Sequence, residues 1–116
     1  MIEINNLVKA EINEKLLKGL AKKVLKSENK ILDLSIVLVD SKRIKTLNKN
    51  HRGEDKVTDV LSFGQGLNEI VICPKALKDE KELARALIHG LLHILGYNHC
   101  ETMFKKQNNY LNKFYG

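Results

Sequence analysis

Leu87-Ile88-His89-Gly90-Leu91-Leu92-His93-Ile94-Leu95-Gly96-Tyr97-Asn98-His99-Cys100 holds three of the four histidines in this chain. His89 and His93 are four residues apart. On a helix they project from one face, one turn from each other, and both imidazoles can reach a single metal ion. Gly96 lies three residues past His93, where a helix can end on a residue that tolerates positive φ and the chain can swing back. That return would carry His99 to the same point. For a lone histidine on an apolar face, a core residue is the plainer explanation. Three at this spacing, with a glycine between the second and third, predict a metal site built from His89, His93 and His99.

Asp79 can cap the helix that carries this stretch, and Glu82 can complete a capping box. Leu83, Leu87, Leu91 and Ile94 recur at helical steps and form its core stripe. After His99, a last helix is expected over Glu101 to Tyr115, with Met103, Tyr110, Leu111 and Phe114 as core contacts. Upstream, Pro74 stops a strand over Glu69 to Cys73 and suits the first turn of a short helix. A turn over residues 64–68 joins that strand to Val57–Phe63 as an antiparallel hairpin. Ile31 to Asp40 is apolar on both alternating faces, as in an interior strand, and Ser41 offers an N-cap for a short helix carrying Ile44 and Leu47. From Lys9 to Lys26, Ile12, Leu16, Leu20 and Val24 predict an amphipathic helix, and Ile2-Glu3-Ile4 a short edge strand.

A chain of 116 residues is expected to form one domain, spanning 1–116, with one core. Apolar residues at 43% and charged residues at 29% fit a soluble globular protein and argue against disorder. No apolar run is long enough to cross a bilayer, and the N-terminus lacks the basic start and apolar centre of a signal peptide, so a cytoplasmic location is expected. Cys73 and Cys100 are then expected to be reduced, and Cys100 is a disfavoured sulfur ligand beside His99. The net charge of +6 points weakly to a polyanionic partner, but the lysines are spread along the whole chain and locate no groove.

Asn48 to Lys56 is polar and charged and reads as a loop feeding the strand that ends at Phe63. Within it, Arg52 is the residue of interest, because a guanidinium presents a planar fork of donors matched to phosphate oxygens. By position alone it is an ordinary solvated arginine, and His51 beside it is incidental. The spacing of the three histidines is also that of the metzincin zinc peptidases. Those enzymes carry a Glu base directly after the first histidine, whereas this chain has Gly90, which has no side chain to take a proton. A peptidase mechanism is therefore disfavoured.

The segment His89 to His99 resembles the signature of the YbeY family of bacterial metal-dependent endoribonucleases, the rRNA maturation factors. Asn50-His51-Arg52-Gly53-Glu54-Asp55-Lys56-Val57-Thr58-Asp59-Val60-Leu61-Ser62-Phe63 resembles that family's Arg-Gly and Thr-Asp-Val-Leu-Ser-Phe block, and Glu69-Ile70-Val71-Ile72-Cys73-Pro74 fits the strand that follows. The resemblance implies an α+β fold, a small mixed sheet of about four strands packed by helices, with a zincin-like metal-binding helix. It implies that His89, His93 and His99 hold the metal, Zn²⁺ first and Ni²⁺ as another divalent choice, and that Arg52 is the catalytic arginine. It further implies action on single-stranded RNA in 16S rRNA maturation and ribosome quality control, on the ribosomal small subunit, with a ribosome-assembly GTPase as a conceivable partner. Thr58, Asp59 and Ser62 would shape the cleft floor or serve as buried hydrogen-bonding structure. The chain departs from the pattern at Asn98, where the family has Asp, and is short beyond the motif.

On this basis a metal polarises the phosphodiester or activates water while Arg52 stabilises the developing charge. Three other readings stay open: a metallopeptidase-like hydrolase, a non-catalytic ribosome-assembly factor with a structural metal, and a small globular protein with a fortuitous histidine cluster, which would carry no stoichiometric metal.

Overall fold

The strand with two apolar faces is β2 (Leu34–Leu38), and the other elements are laid against it. The computed structural model describes residues 1–64 and 66–115. In it β2 pairs in parallel with β1 (Ile2–Asn6) and β4 (Glu69–Ile72), and β3 (Val60–Phe63) pairs antiparallel with β4. The order β1-β2-β4-β3 puts β3 on an open edge. Side chains alternate across a strand. Leu34, Ile36 and Leu38, with Ile70 and Ile72, therefore face α1 (Glu14–Ser27) and α3 (Glu80–Ile94) in the larger core cluster. Val37, Leu61 and Val71 face the other way and are covered by Ile44 and Leu47 of α2 (Ser41–Arg52). The fold is α+β, a mixed four-stranded sheet with helices on both faces.

Several element boundaries differ from those expected, each for a local reason. The first helix starts at Glu14 rather than Lys9, because Lys9 has φ 53 and Asn13 caps the helix by accepting from the Leu16 N–H at 3.0 Å. Asp40, not Ser41, caps α2, its carboxylate accepting from the Arg43 N–H at 2.8 Å. The segment 48–52 is not loop but the end of α2, which closes on Gly53 in the left-handed region (φ 71). Asn48, polar yet fully buried, donates to the Lys56 carbonyl at 3.0 Å and ties residues 53–56 back onto the helix. The strand β3 begins at Val60 rather than Val57, and Gln65 of the connecting turn lies outside the described residues. Pro74 opens a short 3₁₀ turn.

Asp79 caps α3 by accepting from the Glu82 N–H at 2.9 Å, but Glu82 turns its carboxylate to Arg85 instead of completing the box. The last helix, α4 (Glu101–Tyr110), widens into a π-type turn over Leu111–Tyr115. Cys73 is buried, Cys100 exposed, and neither is bridged. Among the described residues, no helix is long and apolar enough to cross a membrane.

Candidate metal centre

His89 and His93 sit on the last two turns of α3. The helix stops at Leu95, and Gly96 at φ 102 reverses the chain, a conformation that favours glycine. The reversal brings His99 back over the helix. The His99 Nε2 lies 3.0 Å from the Nε2 of His89 and 3.1 Å from that of His93. The candidate ligand atoms of the three residues fall within 4.8 Å of one another, and Cys100 is not in the group.

The far nitrogens determine what these three can do. The His93 Nδ1 lies 3.0 Å from the Tyr97 carbonyl oxygen, which can only accept, so Nδ1 carries the proton. The His89 Nδ1 lies 2.7 Å from the Gln107 Oε1 and donates to it in the same way. Both Nε2 atoms therefore present lone pairs when the rings are neutral. Burial pushes both imidazoles below their ordinary value of 6.5, and for His93 the neighbouring His89 and His99 add to the effect. Two acceptors thus converge on His99, whose Nε2 can offer at most one proton. Such a set is short of positive charge, and a divalent cation bound by imidazoles fits it.

The histidines open into a cleft of about 610 Å³, lined also by Arg52, Thr58, Asp59, Ser62 and Phe63. The helical end of α2 thus brings Arg52, distant in sequence, into the same cleft as His93. The guanidinium is half-exposed and makes only a loose contact with Glu54, at 3.8 Å, so its donors are available. Thr58 and Ser62 line the same cleft. Asp59, the one carboxylate in the lining, is held by the Arg85 Nη2 at 3.0 Å. His51 packs edge-on against Phe63 at 4.6 Å between ring centres. Asn98 is exposed.

Gly90 has a reason beyond the absence of a base. A Cβ there would meet the Ile70 Cγ2 at 3.0 Å and the Val60 Cγ2 at 3.3 Å. Gly90 lines the cleft and is at the same time pressed against β3 and β4, and the close approach of α3 to the sheet depends on the missing side chain.

Sequence reasoning missed two supports. Gln107, 4% exposed, occupies the same helical face as Met103 and Leu111; a Gln in the middle of that apolar stripe was the available signal. Glu28 gave none. Its carboxylate, from the end of α1, accepts from the Tyr97 hydroxyl at 2.7 Å, from the Lys106 Nζ at 2.9 Å and from the Tyr110 hydroxyl, and so anchors the residue whose carbonyl holds His93.

The sheet, the helix crossing it and the imidazoles at that helix's end define a zincin-like α+β domain. Within that class, the chain belongs to the YbeY family of endoribonucleases: the family model described as endoribonuclease YbeY matches residues 3–115. The chain is 39% identical to the endoribonuclease YbeY of Petrotoga mobilis, over 95% of this chain and 92% of the relative. It is 37% identical to that of Sulfurihydrogenibium sp., over 89% and 84%. A solution structure from Thermotoga maritima, 34% identical, superposes with a TM-score of 0.69 over 100% of this chain and 90% of that one. A crystal structure of a Wss1 mutant from Saccharomyces cerevisiae shares the fold alone, at 15% identity and a TM-score of 0.58, over 98% of this chain and 90% of that one.

Proposed function

We propose that this endoribonuclease is metal-dependent and cuts single-stranded RNA, acting in the cytoplasm on 16S rRNA during maturation and quality control of the ribosomal small subunit. A ribosome-assembly GTPase is its partner in that setting. The observation that carries the reading is the meeting, in one cleft, of three Nε2 atoms with an arginine held only loosely, by Glu54 at 3.8 Å.

His89, His93 and His99 would hold the metal, Zn²⁺ by the imidazole character of the set, with Ni²⁺ as a further choice. When bound, the ion supplies Lewis acidity at a phosphate oxygen and favours deprotonation of a coordinated water. Arg52 places its fork on the non-bridging phosphate oxygens and offsets the charge that builds up on them. Asp59, fixed by Arg85, lies on the cleft wall and helps keep the lining in place. The attacking group is either water or the substrate's own 2′-hydroxyl, and only the second leaves a 2′,3′-cyclic phosphate. The packing of Gly90 weighs against a peptidase mechanism.

The test pairs metal analysis with cleavage of a single-stranded RNA by wild type, His93→Ala and Arg52→Glu. The expected result is loss of metal and cleavage in His93→Ala, and retained metal with cleavage reduced at least about a hundredfold in Arg52→Glu, the scale of removing one charge-stabilising donor. Equal cleavage by all three would indicate a contaminating nuclease and end the assignment.

A further inference from the structure

Asn48 and Gln107 are polar residues buried among the described residues. Asn48 is explained by the Lys56 carbonyl it secures. Gln107 has no backbone segment to secure. Its Oε1 faces the Nδ1 of His89 across 2.7 Å, from a helix that otherwise offers Met103 and Leu111 to the core. An apolar residue at 107 would continue that stripe and leave the His89 Nδ1 facing hydrocarbon.

We propose that Gln107 is a positioning residue: it fixes His89 as an Nε2 ligand and, being an amide, does so without adding negative charge behind the metal. The inference rests on the metal-site reading above. A neutral imidazole exists in two tautomers, and only the form protonated on Nδ1 leaves Nε2 free to coordinate. An acceptor on Nδ1 selects that form and sets the ring plane. A carboxylate would do the same and would also place an anion behind the first ligand, drawing down the positive potential that meets a phosphodiester. The His93 support is neutral too, the carbonyl of Tyr97. These two neutral acceptors add no negative charge of their own behind a divalent ion, which favours an anionic substrate.

The test uses the full chain as wild type, Gln107→Leu and Gln107→Glu. Zn²⁺ affinity is measured by competition with a chelator, inorganic phosphate binding is measured on the Zn²⁺-loaded proteins, and histidine ring ¹⁵N NMR reports the tautomers without metal. Wild type should show His89 protonated on Nδ1. Gln107→Leu should lose about ten- to a hundredfold in Zn²⁺ affinity, the range for lost outer supports of metal ligands, and show mixed His89 tautomers. Gln107→Glu should bind Zn²⁺ at least as tightly as wild type yet bind phosphate about tenfold more weakly, on the scale of one added charge at this depth.

Wild-type His89 protonated on Nε2 overturns the proposal even if Gln107→Leu fails to fold. So does a folded Gln107→Leu with wild-type Zn²⁺ affinity, which would make Gln107 a packing residue. Unchanged phosphate affinity in Gln107→Glu overturns the charge argument. A wild-type protein that takes up no Zn²⁺ removes the metal reading beneath both, and is thereby told apart from failure of the Gln107 role.

Discussion

Tyr97 stands between two polar clusters of opposite character. At its hydroxyl is Glu28, whose side chain is only 7% exposed and whose carboxylate is fully engaged by Tyr97, Tyr110 and Lys106. At its carbonyl is the histidine cluster, where two acceptors converge on His99, which can offer at most one proton. The first is a closed knot that joins the ends of α1, α3 and α4. The second is open at the same end of the fold. Buried polar groups that satisfy one another stabilise a fold, whereas a convergent set left short of charge marks a place for something else to bind.

The strongest way to break this contrast is Glu28→Ala. It strands two tyrosine hydroxyls and the Lys106 ammonium, and a loss of about 3 kcal/mol is expected from the buried-pair range, kept at the low end because Lys106 is 36% exposed. Denaturant unfolding measures it, and metal affinity should fall along with stability because Tyr97 loses its anchor. A loss under about 1 kcal/mol would show that the knot does not hold α4.

Gly90→Glu attacks the open cluster from the sheet side. It should cost about 2 kcal/mol through overpacking against Ile70 and Val60 and should bring no peptidase activity; a stable variant that cleaves a protein substrate would reverse the reading of Gly90.

The smallest expected effect sharpens the closed cluster by pH. Desolvation alone would raise the Glu28 carboxyl, but hydrogen bonds from Tyr110, Tyr97 and Lys106 outweigh it and hold the group below its ordinary 4.5. The same knot holds the Lys106 ammonium above its ordinary value, chiefly through its hydrogen bond to Glu28, and the Tyr110 hydroxyl is pushed up to about 12 by burial and then by Glu28. A depressed carboxyl contributes its stability in full above the unfolded value and loses it as pH falls through the folded one. The stability difference between wild type and Glu28→Gln, about 1 kcal/mol at neutral pH, should therefore shrink in acid. A difference independent of pH would mean that the charge on Glu28 contributes nothing.

The parts legible in the sequence were those written in local pattern. The alternation of Leu34, Ile36 and Leu38 with Val37 disclosed an interior strand, and the spacing of His89, His93, Gly96 and His99 disclosed a helix, a reversal and a convergent set. The antiparallel pairing of β3 with β4 followed from the short connection between them. What escaped was decided by contacts distant in sequence. Helix α2 runs on through residues 48–52 because Asn48 is buried under the chain it ties back, which polarity alone reads as loop. Arg52 could be singled out for its chemistry, but its place in the cleft with His93 depends on that helical extension. Glu28 and Gln107 lie 69 and 18 residues from the groups they hold, Tyr97 and His89, and no periodicity links them.

The order of the chain has a consequence in time. During synthesis the histidines leave the ribosome ahead of Lys106, Gln107 and Tyr110, and N-terminal parts of a protein can fold as they appear. Until α4 follows and docks, His89 lacks its acceptor and Tyr97 lacks two of the partners that share its anchor. A chain in which α4 has not yet docked therefore carries His89 and His93 without these supports.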